Sequence, residues 1–378
     1  MFRINYMHKH QLFTKFLVNR ELDELYISIA IRSLALAMIS VFIPIYLLKL
    51  DYSLKAVFLF MAIFQFTHAI ITIPAAKFAS SKGFKHCILI SVPLLILFYG
   101  LLYFLGSKSI PLFVLAIIYG ISSAFFWMGF HTDFSKSAKK EKRGKEIGLM
   151  RIIMLVFSTI GPLIGGIIAA FSFNLLFLIG SILIFISVFP LFLSMDIHEK
   201  VDFSIKKVFT DTSFKRIAGF VGYGIEVGVS NGVWPIFIFL GILKTVTSLG
   251  IVTSLAIFIS IFSAYLISKV KDKNMRKTFH QGAFIAMFLN LIIIFTKTVF
   301  QAYFFNILIT IKKTFLSIPY DEITYYKAKK KGIVEVITMR EMYANIARGS
   351  LYLFIAFIPN FYIAFVIGAI SSFLYLIF

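Results

Sequence analysis

Apolar runs of about 20 residues follow one another from end to end of this chain, each able to cross a hydrocarbon core of roughly 30 Å. Inside such a core every backbone N–H and C=O must be bonded internally, and a helix does this within one segment. Only 15% of the residues are charged, against roughly 25% in an ordinary soluble domain. The expectation is an all-α polytopic membrane protein. Twelve transmembrane helices are expected, at about 24–48, 55–76, 87–106, 111–132, 146–170, 173–194, 217–240, 245–268, 280–297, 299–318, 341–358 and 360–378. Residues 1–23 are polar and basic, so no cleavable signal peptide is expected there.

The formal net charge of +21 would suggest a nucleic-acid partner in a soluble protein, but charge bias across a membrane explains it better. The connections on one side hold 30 of the 38 lysines and arginines, counting seven from Lys312 to Arg340, and the opposite side holds five. Arg32, Arg151 and Arg348 fall inside spans. Both termini are therefore expected in the cytoplasm, with the chain in the plasma (inner) membrane and no nucleic-acid partner. The run Lys327 to Lys331 reads as a topogenic or anionic-lipid contact. Cys87 is the single cysteine, so no intramolecular disulfide can form. No phosphate-binding Gly-rich loop, HExxH or Cys/His metal spacing occurs, so no enzyme, cofactor or metal is expected. Any pumping must then draw on an ion gradient.

The chain echoes itself. FIPIYL at 42–47 corresponds to VWPIFI at 233–238, with Pro44 and Pro235 separated by 191 positions. AKFASSKGFK at 76–85 corresponds to SKVKDKNMRK at 268–277, and Arg151 and Pro162 are mirrored by Arg348 and Pro359 at a separation of 197. Such a duplicated six-helix unit is the parallel-repeat construction of many secondary transporters. The expected division is a first bundle at 1–195, a linker at 196–216 and a second bundle at 217–378, two pseudo-symmetric six-helix bundles.

At these residues the chain resembles the major facilitator superfamily. That family carries G-x-x-x-D-R-x-G-R-K between helices 2 and 3; Gly83 and Lys85 match it, while Ala76, Ser80, Ser81 and Phe84 depart. The second copy fits at Asp272, Lys273, Arg276 and Lys277, with Ser268 and Met275 in the glycine positions. The family's antiporters carry G-x(8)-G-x(3)-G-P-x(2)-G-G in helix 5, which Gly148, Gly161, Pro162, Gly165 and Gly166 fit and Phe157 breaks. The resemblance implies that this motif packs helix 5 against helix 8 across the two halves, small residues permitting close approach. Whether the seam slides or is static stays open. Arg151, two turns inside the basic 136–145 segment, reads most simply as snorkelling to headgroups.

Charges in the membrane are the strongest single-residue signals. The resemblance implies a substrate cavity lined mainly by helices 1, 4, 7 and 10. Arg32 lies 12 residues before Pro44 and Glu226 lies 9 before Pro235, a depth difference of roughly 4.5 Å. They could pair across the cavity, Glu226 could carry a proton, or the pair could simply lock helices 1 and 7. Tyr223 shares the face of Glu226; Asn231 and Trp234 follow it and could line the same cavity, and Trp234 could equally be an interfacial anchor. Gln65 and His68 share a face of helix 2, as packing residues or as a proton relay. Asn290 and Asn306 read as interhelical hydrogen bonds.

His131 and Asp133 end the expected helix 4, and Asp321 and Glu322 the expected helix 10. Together with Lys82, Gly83, Lys85, Asp272, Arg276 and Lys277 they could form a cytoplasmic gate of ion pairs, or be solvated surface charge of small energetic consequence. The expected function is secondary active transport of a small organic solute by alternating access, driven by a proton or other coupling ion. Proton-coupled efflux is favoured through the helix 5 motif; sugar or nucleoside-like uptake, or a non-transporting scramblase or receptor, are the alternatives. Because the expected cavity helices hold few charges, an amphipathic or neutral solute is expected. Partners are that solute, the ion and membrane lipids, and the protein is expected to be a monomer. A carboxyl-terminal reporter is expected to remain cytoplasmic, and its export would mean eleven spans.

Overall fold

The computed structural model describes residues 20–137, 143–192, 201–210, 213–270 and 274–378. Among the described residues the chain forms twelve rods and no strand. Rod α1 runs over Arg20–Ile39 and resumes over Ile43–Lys49; α2 is Leu54–Lys82, α3 Phe84–Leu105, α4 Leu112–Ser137, α5 Arg143–Phe171 and α6 Phe173–Ile186. A short connecting helix, Ile205–Thr210, precedes α7, which runs over Phe214–Gly228 and continues through Val229–Val233, Trp234–Ile238 and Phe239–Leu243. Then come α8 (Val246–Ser268), α9 (Met275–Ile292), α10 (Val299–Lys331), α11 (Ile333–Phe357) and α12 (Phe361–Ser371).

Nine of the described helices, α1 to α9, are long and apolar enough to cross a membrane by length and composition. The remaining three fall short for physical reasons. Rod α12 is short, and it begins where the turn signal placed it, with the Asn360 side chain accepting from the backbone N–H groups of Tyr362 and Ile363. Rods α10 and α11 are long but carry buried Lys312, Asp321, Glu322, Glu335, Arg340 and Glu341. These side chains face protein, so hydropathy alone underestimates both rods. Helix 10 was expected to stop at 318 and helix 11 to start at 341, whereas one residue, Gly332, separates them. Its φ of 110° is a left-handed conformation that a Cβ would strain, and Gly83 makes the same joint between α2 and α3. Lys312 and Lys313 lie deep inside α10, as their place within the expected span 299–318 already required, and do not belong to the loop charge counted above.

The repeat is visible in the backbone. Rod α1 breaks at residues 40–42 and resumes with Pro44 in its first turn; α7 makes a π-type turn at Val229–Val233 and resumes with Pro235 in its first turn. A proline lacks the N–H an uninterrupted rod would need and is tolerated in a first turn, so both breaks sit where the residue demands them.

The two halves meet along α5 with α8 and along α2 with α11. Small residues make the first seam. A Cβ on Gly148 would fall 2.3 Å from the Cβ of Ser268, and one on Gly250 would fall 2.3 Å from the carbonyl oxygen of Pro162. The expected α5–α8 packing is present, but the motif also faces the other way. Gly161 and Gly165 press against Ala37 and Met38 of α1, within the same half. Expected from this geometry, Gly165→Ala lowers stability by about 1–3 kcal/mol, because the new methyl meets backbone that cannot swing aside. Thermal unfolding in detergent measures it, with Gly100→Ala, which meets nothing within 4 Å, as the neutral control.

Candidate functional site

Between the halves lies a cavity of about 540 Å³ lined by α1, α2, α4, α5, α7, α8, α10 and α11. Rods α3, α6, α9 and α12 stay outside it. The expected lining by helices 1, 4, 7 and 10 is thus completed by the four helices that form the seams.

Arg32 and Glu226 do not meet. The Arg32 guanidinium lies 3.6 Å from the centre of the Phe126 ring, between α1 and α4, and its Nε and Nη1 make no hydrogen bond. Stacking on an aromatic face stabilises a desolvated cation. Glu226 is committed to its own half: one carboxylate oxygen lies 2.5 Å from Lys312 Nζ and accepts from Ser230 at 2.7 Å, and the other accepts from Asn290 at 2.9 Å. Lys312 Nζ also donates to Asn290 at 3.1 Å. The expected pair is replaced by an α7–α9–α10 cluster, because Lys312 lies deep in α10 and reaches Glu226 first. Neither Arg32 nor Glu226 lines the cavity.

The other candidates divide. Gln65, His68, Tyr223 and Asn231 line the cavity. Trp234 does not; its ring N–H donates to Asn306 at 2.9 Å, which anchors α7 to α10 and removes the interfacial reading. Asn306 donates in turn to the Val252 carbonyl of α8 at 3.0 Å. Of the gate candidates, Lys82, Arg276 and Lys277 are exposed, and Asp272 lies outside the described residues. Gly83 is the α2–α3 joint, and Lys85 pairs with Glu24 at 2.9 Å within the first half. Asp133 and Glu322 are buried but do not line the cavity. His131 and Asp321 do join a cluster that spans the halves.

That cluster starts from Arg151, which donates through Nε at 3.1 Å and through Nη2 to Asp321 on α10. Arg151 therefore does not snorkel to headgroups; a carboxylate in the opposite half holds it inside. Arg340 lies 2.9 Å from the same carboxylate and 3.3 Å from its neighbour Glu341. Glu341 is faced from the first half by His68 Nε2 at 3.3 Å and His131 Nε2 at 3.6 Å. His131 Nδ1 shares a hydrogen bond with the Tyr325 hydroxyl at 2.6 Å, which ties α4 to α10. Arg348, the repeat partner of Arg151, also crosses the interface: its Nη1 lies 3.3 Å from Gln65 on α2 and 3.3 Å from Asn345. Lys313, one residue past Lys312, donates to Asn231 at 2.7 Å. Sequence reasoning missed Lys312, Lys313, Arg340, Glu341 and Arg348 as site candidates. The available signal was the pair Lys312-Lys313, roughly 20 Å along α10 from Val299 at 1.5 Å per residue, too deep for a loop charge.

Leaving one member of a fully buried ion pair alone costs about 3–5 kcal/mol, and removing both costs far less. Glu226→Gln and Lys312→Met are each expected to lower the thermal midpoint of the purified protein more than the double replacement does. Additive losses would mean the two do not act as a pair.

A sequence profile of the Major Facilitator Superfamily matches residues 25–349. An uncharacterized MFS-type transporter of Bacillus subtilis (strain 168), YxaM, is 27% identical over 172 residues, 46% of this chain and 42% of that protein. The uncharacterized protein YqgE of the same organism is 23% identical over 255 residues, 63% of this chain and 59% of that one. The chain thus aligns with 42% to 59% of the length of these two relatives. FucP in its outward conformation superposes with a TM-score of 0.69 at 16% identity, covering 96% of this chain and 98% of FucP. The human organic anion transporter MFSD10 (TETRAN) superposes with a TM-score of 0.67 at 8% identity, covering 94% and 99%. At these identities the solved structures speak for the fold, and the profile, matching most of the chain, speaks for the family: this chain belongs to the major facilitator superfamily.

Proposed function

We propose that the chain is a proton-coupled secondary transporter that carries a small organic solute across the plasma membrane by rocking its two halves, 1–195 and 217–378, about the central cavity. The segment 196–216 serves as the linker, both termini are cytoplasmic, and one chain forms the working unit. The observation that carries this reading is Glu341, a carboxylate on α11 faced by His68 and His131 from the opposite half. Arg340 stands beside it, with Asp321, Arg151 and Tyr325 completing its charged and titratable surroundings. A proton delivered to Glu341 removes the charge that the two histidines and Arg340 face. The ionic attachment of the halves at this level is then reduced to Arg151–Asp321, beside the neutral His131–Tyr325 and Arg348–Gln65 hydrogen bonds, and the end carrying the α2–α3 and α8–α9 connections opens more easily. Glu341 takes over the proton-carrier role considered for Glu226.

Exchange of an outgoing solute for protons is the direction supported by the helix 5 motif. Co-transport is the second reading, because neutralising Glu341 leaves the cavity more positive and so favours an anionic solute. The fold shared with FucP, described as an E. coli fucose:proton symporter, is compatible with it.

Spin labels on Lys82→Cys and Lys277→Cys, both exposed positions on opposite halves, report the opening without knowledge of the substrate. Acidification is expected to lengthen the inter-label distance in the otherwise native protein, and Glu341→Gln to give the longer distance at every pH. A distance independent of pH in both proteins would refute the coupling. In proteoliposomes, alkalinisation or acidification of the lumen on solute addition then separates exchange from co-transport.

A further inference from the structure

We infer that Lys313 and Arg348 form an oxyanion subsite in the central cavity, and that the transported solute is a small organic anion carrying a carboxylate or phosphate. This rests on the reading of the cavity as the substrate site. Four cations line the cavity, Arg151, Lys313, Arg340 and Arg348. Two carboxylates serve them: Asp321 takes Arg151 and Arg340, and Glu341 takes Arg340 and the two histidines. Without counting the histidines, two positive charges are left over.

The surplus has an address. Lys313 hydrogen-bonds to the amide of Asn231, and Arg348 to the amides of Gln65 and Asn345. All three partners are neutral, and among the described residues neither cation forms an ion pair with a carboxylate. Glu226, on the helix next to Lys313, is already charge-paired with Lys312 and accepts from Ser230 and Asn290, so that pair adds no net negative charge. An uncompensated cation inside a membrane-spanning bundle is costly to keep unless something negative visits it. The guanidinium fork and the ammonium offer the donors an oxyanion accepts best. Around them the wall is amphipathic: Tyr119, Trp127 and Tyr352 line the same cavity and offer apolar faces to the organic remainder. Where few charges were expected on the cavity helices, four cations line the wall, and this favours an anionic over an amphipathic or neutral solute.

The test uses purified full-length protein in detergent, where no gradient exists, and reads thermal stabilisation against concentration of defined probes. Benzoate, phenyl phosphate and gluconate are the oxyanions; benzyl alcohol, benzylamine and glucose are their neutral or cationic counterparts. Saturable stabilisation by at least one oxyanion and not by its counterpart is the expected result. Lys313→Gln and Arg348→Gln should each weaken it about tenfold or more, the loss of one charge-assisted hydrogen bond. Lys313→Arg, which keeps the charge, should restore the response and guards against a folding artefact. The inference is overturned if no oxyanion stabilises the protein, if counterparts stabilise it equally, or if the double Gln variant responds like the native chain. Oxyanion binding without any pH-dependent opening would refute the proton coupling and leave this subsite standing; pH-dependent opening without oxyanion selectivity would do the reverse.

Discussion

A charge moved from water into the interior of a membrane-spanning bundle loses several kcal/mol of hydration, and the bundle must return most of it through partners. That requirement organises this protein. In the second half it draws α7, α9 and α10 together around Glu226 and Lys312. Across the interface it ties Arg151 to Asp321 and sets Glu341 opposite His68 and His131. The second set differs from the first in one respect that matters for the proposed function: its partners belong to the two bodies that rocking would separate. Bonds of this kind are strong when dry and weak when water enters, so opening the bundle is itself what makes them easy to break.

The seams and the cluster are complementary devices. Along α5 and α8, glycine and serine allow backbones to approach closely, and van der Waals contact there is non-directional. Such a surface tolerates small rotations. The ionic cluster is directional and resists them. A smooth contact beside a specific one is the kind of interface on which the proposed rocking between two arrangements would depend.

The sequence made the class, the number of helices and the repeat legible, because membrane thickness and duplicated prolines leave marks in single residues. The helix 5 seam was legible for the same reason: only small residues permit it. The site was far less so. Arg32 and Glu226 stood out because each interrupts an apolar run, yet depth along a helix does not fix azimuth, and they point to different neighbours. Lys312, Lys313, Arg340 and Glu341 were concealed by being numerous; a cluster of charges looks like a loop until partners in other helices are known. Hydropathy averages over a helix face, and α10 and α11 divide their charge between a dry interior and a cavity. Arg348 was visible as the echo of Arg151, but that both arginines cross the interface could only be seen in three dimensions.

Gly332 leaves a single residue between α10 and α11, so these two rods have no slack between them. Lys312, Lys313 and Asp321 ride on one arm of this hairpin, and Arg340, Glu341 and Arg348 on the other. A longer loop would absorb small displacements of either arm. On the function proposed above, a tilt started at Glu341 would pass through the elbow to Lys313 as a change of angle, much as a bell crank turns a push into a pull, so that the proposed proton carrier and the proposed solute subsite are linked by covalent geometry as well as by charge.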